Sequence, residues 1–98
     1  MDRFEVAERR RLLRERAIQF LGGVCAICKY DGPPEAYDFH HEDPLEKDFV
    51  ISSRMTSWQA IEEEIRKCVL LCARCHREVH AGYHPAYLVS PDTHRSLY

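Results

Sequence analysis

The chain contains no asparagine and no apolar run long enough to cross a membrane. A transmembrane helix needs about 20 consecutive apolar residues, so we expect no membrane span. The N-terminal segment, Met1 to Phe4, also lacks the apolar stretch of a secretory signal peptide. The lack of a membrane span and of a signal peptide predicts a cytoplasmic location. Cysteines stay reduced there and are available to bind a metal rather than to form disulfides.

The chain also lacks a strong net charge, since its 14 lysines and arginines nearly balance its 16 acids. The charges are nevertheless unevenly spread. Residues 1–23 hold six arginines against four acids, whereas residues 24–64 hold three basic residues against ten acids. Residues 65–98 are positive again, with five basic residues against two acids. Basic ends around an acidic middle fit either a phosphate-binding rim around a metal pocket or an ordinary solvated surface.

Two Cys-x-x-Cys pairs are the strongest motif in the sequence. Cys25 pairs with Cys28 and Cys72 with Cys75, and four thiols at this spacing suit one tetrahedral zinc ion. A chain of 98 residues buries a limited core, so a metal that joins distant segments would add needed stability. A redox-active pair fits less well, because neither pair lies in a strand-helix-strand pattern. The fifth cysteine, Cys68, falls outside both pairs.

The hydrophobic periodicity predicts three helices and two short strands. The first helix ends at Gly22-Gly23, because tandem glycines stop a helix. The second begins at a capping box formed by Thr56 and Gln59. The predicted order is a helix at 2–21, a strand at 37–41, a helix at 56–67, a strand at 69–71 and a helix at 74–81.

The apolar positions of the two longer helices predict which faces are buried. In the first helix the core side would be formed by Val6, Leu13, Ala17, Phe20 and Leu21. In the second helix it would be formed by Trp58, Ile61, Ile65 and Cys68. The acidic run Glu62-Glu63-Glu64 is expected to face mostly water.

Four histidines form a second group of candidate ligands. His76 and His80 lie four residues apart on a predicted helix, so they share one face and can bind one divalent cation together. His40 and His41 end the first predicted strand, where neighbouring side chains point to opposite faces. One of this pair can therefore bind metal while the other stays available for a substrate. Asp38 shares the face of His40 and is a candidate ligand or a hydrogen-bond partner of a ligand.

Two segments of the chain resemble the HNH endonucleases, which belong to the ββα-metal, or His-Me finger, nucleases. The segments are Asp38-Phe39-His40-His41-Glu42-Asp43-Pro44 and Cys68-Val69-Leu70-Leu71-Cys72-Ala73-Arg74-Cys75-His76-Arg77-Glu78-Val79-His80. The resemblance covers roughly residues 24–81. It implies a small α+β fold with a ββα-metal core and a four-cysteine zinc site. An N-terminal helix and a helix between the two core strands would complete this fold.

The resemblance also implies a reaction and a role for each histidine. The family cleaves phosphodiester bonds in DNA with one divalent cation, often magnesium or manganese. His41 would match the general base that activates water. The catalytic cation would be held by His40 and His76, with His80 as a third ligand. The four cysteines would match the structural zinc of the four-cysteine subgroup.

The asparagine that often orients the base in this family has no counterpart here. Its place falls near Lys67, which is a candidate contact to DNA phosphate instead. Arg74 and Arg77, on or near the last predicted helix, are further candidate contacts to the DNA backbone. An equally ordinary reading of these two arginines is a solvated helix surface.

The predicted organisation has three parts. They are a basic amphipathic helix at 1–23, the nuclease domain with its zinc knuckles at 24–82 and a tail at 83–98. The first helix could also pair two copies of the chain into a homodimer.

A non-catalytic zinc-ribbon-like module that binds nucleic acid or protein is the competing interpretation. The missing asparagine and the negative net charge favour this module. The His-His pair and the Cys-His-x-x-x-His run favour the nuclease, because a pure scaffold has no need of these histidines. A redox sensor built on Cys68 is a third alternative, although a lone cysteine on the apolar face of a helix is usually a core residue.

Overall fold

The computed structural model describes residues 2–84 and gives a small α+β fold. Its elements, in chain order, are α1 (Arg3–Phe20), β1 (Tyr37–His41), α2 (Trp58–Arg66), β2 (Cys68–Cys72) and α3 (Ala73–His80). The predicted fold class and the predicted order of elements are confirmed. The tail predicted at 83–98 lies, beyond His84, outside the described residues. None of the helices within residues 2–84 is long and apolar enough to cross a membrane.

The two strands form an antiparallel sheet, which places the strand that ends in the histidine pair beside the strand that leads into the second cysteine pair. Tyr37 lies opposite Cys72, and His41 lies opposite Cys68. The segment between the strands carries α2, which packs against β2. The histidine pair therefore ends β1 beside the start of β2, at the end of the sheet that is nearest to α2.

The junction between β2 and α3 contains no loop. Cys72 ends β2, and its sulfur also caps α3 by accepting a 3.4 Å hydrogen bond from the backbone N–H of Cys75. α3 packs back against both strands. His76 is consequently held within the first turns of a helix whose start and direction are fixed by the sheet.

The buried side of α1 differs from the predicted one. Val6 and Phe20 are 40% and 43% exposed, whereas Ile18, which lies outside the predicted face, is buried beside Ala17. Most of the first half of the helix is exposed, so α1 packs against the rest of the protein through its later turns. The Gly22-Gly23 turn, with φ values of 111° and 81°, then directs the chain back toward the sheet.

The start and the polar side of α2 also differ from the prediction. The N-cap is Ser57, one residue after the predicted Thr56, and its side chain accepts a hydrogen bond from the backbone N–H of Ala60 at 3.2 Å. Glu64, predicted to face water, is only 2% exposed. It follows Ile61 by three residues and precedes Ile65, so helical geometry places it on the buried face despite its charge.

Two clusters of buried side chains hold these elements together. The first joins α1, the sheet and α3 through Ile18, Tyr37, Leu70, Leu71 and Val79. The second joins α1, α2 and the start of β2 through Ala17, Trp58, Ile61, Ile65 and Cys68. Leu21 and Phe39 pack against both clusters. Cys68 is thus a core residue, and burial raises the pKa of its thiol to about 12.

The buried hydroxyl of Tyr37 gives the first testable prediction. It accepts a hydrogen bond from the backbone N–H of Gly32 at 2.8 Å and donates to the carbonyl of Tyr30 at 2.9 Å. Tyr37→Phe removes both bonds from a part-buried turn, so we expect the free energy of unfolding to fall by about 1–2 kcal/mol. Chemical denaturation measures the change.

Tyr30→Phe is the matched control, because the ring of Tyr30 is 44% exposed. Its free energy of unfolding should stay within about 0.5 kcal/mol of the wild type. Equal losses in the two variants would show that the Tyr37 hydroxyl has no special part in stability.

Candidate functional site

Four cysteine sulfurs from distant parts of the chain converge on one point. The sulfurs of Cys25, Cys28, Cys72 and Cys75 all lie within 4.8 Å of one another, and those of Cys28 and Cys72 are 3.7 Å apart. Four sulfurs bound to one zinc ion at about 2.3 Å lie about 3.8 Å apart along each tetrahedral edge. The cluster therefore has the donors and the spacing of a structural zinc site.

The turn after α1 delivers the first two of these sulfurs. The backbone N–H of Ala26 donates to the carbonyl of Leu70 on β2 at 2.8 Å, which ties the turn to the sheet. The backbone N–H of Lys29 donates to the carbonyl of Cys25 at 3.0 Å, and Lys29 itself adopts a φ of 67°. The hydrogen bond closes a turn around Cys25 and Cys28, and the left-handed Lys29 redirects the chain directly after it.

Two of the thiols, Cys25 and Cys75, differ in their tendency to ionise. Burial opposes ionisation of Cys25, but hydrogen bonds from backbone N–H groups, chiefly those of Cys28 and Cys72, lower its pKa to about 6. Burial and then the neighbouring thiols raise the pKa of Cys75. The fold thus favours the thiolate form of Cys25 and opposes the thiolate form of Cys75. A divalent cation among the sulfurs would remove that conflict, because it stabilises every thiolate around it.

Three of the predicted histidines form a second cluster. His40, His76 and His80 each offer a ring nitrogen within 4.8 Å of the others. The Nε2 atoms of His76 and His80 are 3.2 Å apart. Two nitrogens bound to one cation at about 2.1 Å lie about 3.0–3.4 Å apart for octahedral or tetrahedral geometry. The three side chains are therefore placed to hold one metal ion, with His40, at 3% exposure, as the deepest of them.

Asp38 orients His76 within this cluster. Its Oδ2 atom lies 2.9 Å from Nδ1 of His76. A carboxylate only accepts hydrogen bonds, so Nδ1 carries a hydrogen, and Nε2 is the nitrogen left to face the cluster and to bind a metal. Of the two roles predicted for Asp38, the geometry fits the hydrogen-bond partner of a ligand.

His41 lies outside the three-histidine cluster and contacts a different carboxylate. Its Nε2 atom is 2.8 Å from Oε2 of Glu64. Burial lowers the pKa of His41 and outweighs the opposing effect of the Glu64 charge. The two neighbours in the His-His pair are therefore separated, since His40 joins the other imidazoles and His41 does not.

Glu64 is held as an ion inside the protein. Burial would raise its pKa, but hydrogen bonds from Lys67, from the backbone N–H of Asp48 and from His41 lower it to about 2. The Nζ atom of Lys67 lies 2.9 Å from Glu64 Oε1, 2.9 Å from Asp48 Oδ2 and 2.8 Å from the carbonyl of Glu46. Lys67, predicted as a DNA contact, is thus engaged within the chain.

A cleft of about 340 Å³ opens beside His41 and beside His76 of the three-histidine cluster. Its walls include Arg14, Asp38, Phe39, His41, Lys47 and His76. The guanidinium of Arg14 is fixed by the carbonyls of Pro34 and Tyr37, at 3.2 and 2.5 Å. It also lies over the ring of Phe39, 5.2 Å from the ring centroid. Positive charge is therefore held on the same cavity as the imidazoles.

The residues that line the cleft are only partly those expected from the sequence. Arg74 and Arg77 are exposed on α3 and do not line the cleft, and Arg74 pairs with Glu78 at 3.4 Å. Arg14 and Lys47 take that place. No local signal marks these two, because they meet only in the folded chain. Glu64 did carry a signal, namely a charge at a core position of an amphipathic helix.

Comparisons with protein-family models, with curated proteins and with solved structures found no match to this chain. The features that point to a function are therefore the two side-chain clusters and the cleft beside His41 and His76.

The thiol cluster predicts a folding requirement for zinc. Cys72→Ser removes one of four zinc donors but keeps a hydroxyl that can cap α3, so the variant should lose zinc and, with it, its cooperative melting transition. A structural zinc site contributes about 10 kcal/mol or more in small metal-dependent domains, which rivals the whole stability of a typical domain. Metal analysis and thermal melting of the purified protein measure both effects.

Cys68→Ala is the control for this experiment. It removes a buried thiol that lies outside the cluster, so zinc content should stay at that of the wild type while stability falls modestly. A Cys72→Ser protein that melts normally without zinc would rule out a structural role for the metal.

Proposed function

We propose that this chain is a metal-dependent DNA endonuclease that nicks or cleaves phosphodiester bonds with His41 as its general base. One cleft carries the proposal, because it is lined by His41, by His76 of the three-histidine cluster and by two cationic side chains. Phosphodiester hydrolysis needs a base, a positive charge close to the anion that develops on the phosphate, and groups that hold the DNA backbone. Candidates for all three surround this cavity. The resemblance of both motif segments to the HNH endonucleases supports the same reaction.

The three-histidine cluster would hold the catalytic cation. When bound, such a cation stabilises the negative charge that develops on the phosphate and on the leaving oxygen. Three imidazoles favour a transition-metal ion, whereas magnesium prefers oxygen ligands. Of the two cations that the resemblance implies, we therefore expect manganese to support cleavage better than magnesium.

His41 would take the proton from the attacking water. Its Nε2 atom faces the ionised Glu64 and must carry a hydrogen, which leaves the lone pair on Nδ1. A neutral imidazole is a competent proton acceptor near neutral pH. Nδ1 is therefore the atom that would act as the base.

Arg14 and Lys47 would position the DNA backbone in the cleft. The guanidinium of Arg14 is already immobilised by two carbonyls and an aromatic ring, so little side-chain entropy is lost when a phosphate binds to it. Lys47 adds a second positive charge on the same cavity. Contacts to phosphate hold DNA without reading bases, so we expect weak sequence preference.

The proposal predicts metal-dependent cleavage that requires His41. Wild-type protein with manganese should nick supercoiled plasmid, and EDTA should stop the reaction. His41→Ala should slow nicking by about 10²- to 10⁴-fold, which is the usual contribution of a general base. His41→Gln should be equally impaired, and its amide can still donate to Glu64. Gel electrophoresis of plasmid measures the rates, and zinc content checks the fold.

His84→Ala is the matched histidine control, since His84 pairs with Glu78 and does not line the cleft. It should cleave at the wild-type rate. Full activity in His41→Gln would overturn the assignment of the base. A wild-type protein that binds zinc but cleaves nothing with any divalent cation would favour the non-catalytic zinc module.

The position of Arg14 predicts a specific change in DNA binding. Arg14→Gln should lower the slope of log affinity against log salt concentration by about 1, because one phosphate contact is lost. Arg10→Gln removes the same charge from an exposed position of α1 and should change the slope much less. Fluorescence anisotropy on duplex DNA, in the His41→Gln background to prevent cleavage, measures both slopes. Equal slopes in the two variants would remove Arg14 from the binding site.

A further inference from the structure

We infer that Glu64 is a positioning residue that fixes His41 in one tautomer and holds the adjacent wall of the cleft, an inference whose catalytic consequence rests on the proposed nuclease function. A carboxylate on the core side of an amphipathic helix is costly to bury unless it is fully engaged. Here three hydrogen bonds from three different segments engage it.

The two oxygens of Glu64 have separate partners. Oε2 accepts from Nε2 of His41 at 2.8 Å and from the backbone N–H of Asp48 at 2.9 Å. Oε1 accepts from Nζ of Lys67 at 2.9 Å. Oε2 carries negative charge and already accepts a hydrogen bond from the Asp48 N–H. A carboxylate oxygen only accepts hydrogen bonds, so His41 must be the Nε2–H tautomer to bond with it. The imidazole is therefore fixed in both its orientation and its proton position.

The same carboxylate also controls the chain segment that follows β1. Asp48 is bound to Glu64 through its backbone, and Lys67 bonds both to the Asp48 side chain and to the carbonyl of Glu46. Lys47, between these two anchored residues, lines the cleft. One part-buried ion pair thus sets the position of the base on one side and of a cationic side chain on the other.

Three variants separate positioning from plain stability. Glu64→Gln can keep its amide oxygen toward His41 and Asp48 while it loses the bond to Lys67. Glu64→Ala removes every bond. Glu63→Ala is the matched control, because its side chain is the exposed neighbour on the same helix. All three are made in the full chain, and zinc content and melting confirm that each protein remains folded.

Histidine nitrogen NMR on the zinc-loaded protein measures the tautomer directly, with His41→Gln used for assignment. We expect the Nε2–H tautomer of His41 in the wild type, in Glu63→Ala and in Glu64→Gln. We expect a mixture of tautomers in Glu64→Ala. This readout does not depend on activity. A wild-type His41 in the Nδ1–H form, or an unchanged spectrum in Glu64→Ala, would overturn the inference.

Plasmid nicking then tests the catalytic consequence. Glu64→Ala should lower kcat by about 10- to 100-fold with a smaller change in KM, because a misoriented base loses part of its roughly 10²- to 10⁴-fold contribution. Glu64→Gln should recover most of kcat. If both retain wild-type kcat, Glu64 does not position the base. If no protein cleaves DNA but the tautomers behave as expected, the nuclease function fails while the positioning of His41 by Glu64 stands.

Discussion

The fold depends on holding four thiols closer together than four thiolates could stay without a cation. The cluster joins the turn after α1 to the junction of β2 and α3, which are far apart in the chain. Cys72 is the centre of this constraint, because it ends β2, caps α3 and contributes a sulfur. A zinc ion bound there would fix the direction in which α3 leaves the sheet, and everything carried by α3 would follow from it.

The thiol cluster and the histidine cluster share this one short helix. Cys75 and His76 are neighbours on α3, and His80 lies one turn further along. The strand pairing supplies the third imidazole, since β1 places His40 against the same helix. The geometry of the candidate catalytic ligands therefore depends on the same helix that carries part of the thiol cluster. Loss of zinc should disturb the histidines even though no thiol lies among them.

Local patterns in the sequence predicted the elements and the two ligand clusters, but not what surrounds them. The strand at Tyr37–His41 and the Cys-x-x-Cys spacing are local signals, so both were found at the right residues. Arg14 reaches the cleft only because α1 packs near Phe39, which is a tertiary contact that periodicity does not encode. Glu64 was placed in water because a run of three glutamates was read by charge rather than by helical position.

The ion pair of Glu64 and Lys67 also lowers the negative charge beside the cleft, much of whose lining comes from the acidic part of the chain. A lone ionised carboxylate behind His41 would repel phosphate. Lys67 lies 2.9 Å from that carboxylate and offsets part of its charge, since the same ammonium is shared with Asp48. Asp38 is likewise bonded to His76. Both of these acids are thus engaged internally, and Arg14 and Lys47 place two positive charges on a cavity wall that also carries the Asp38 carboxylate.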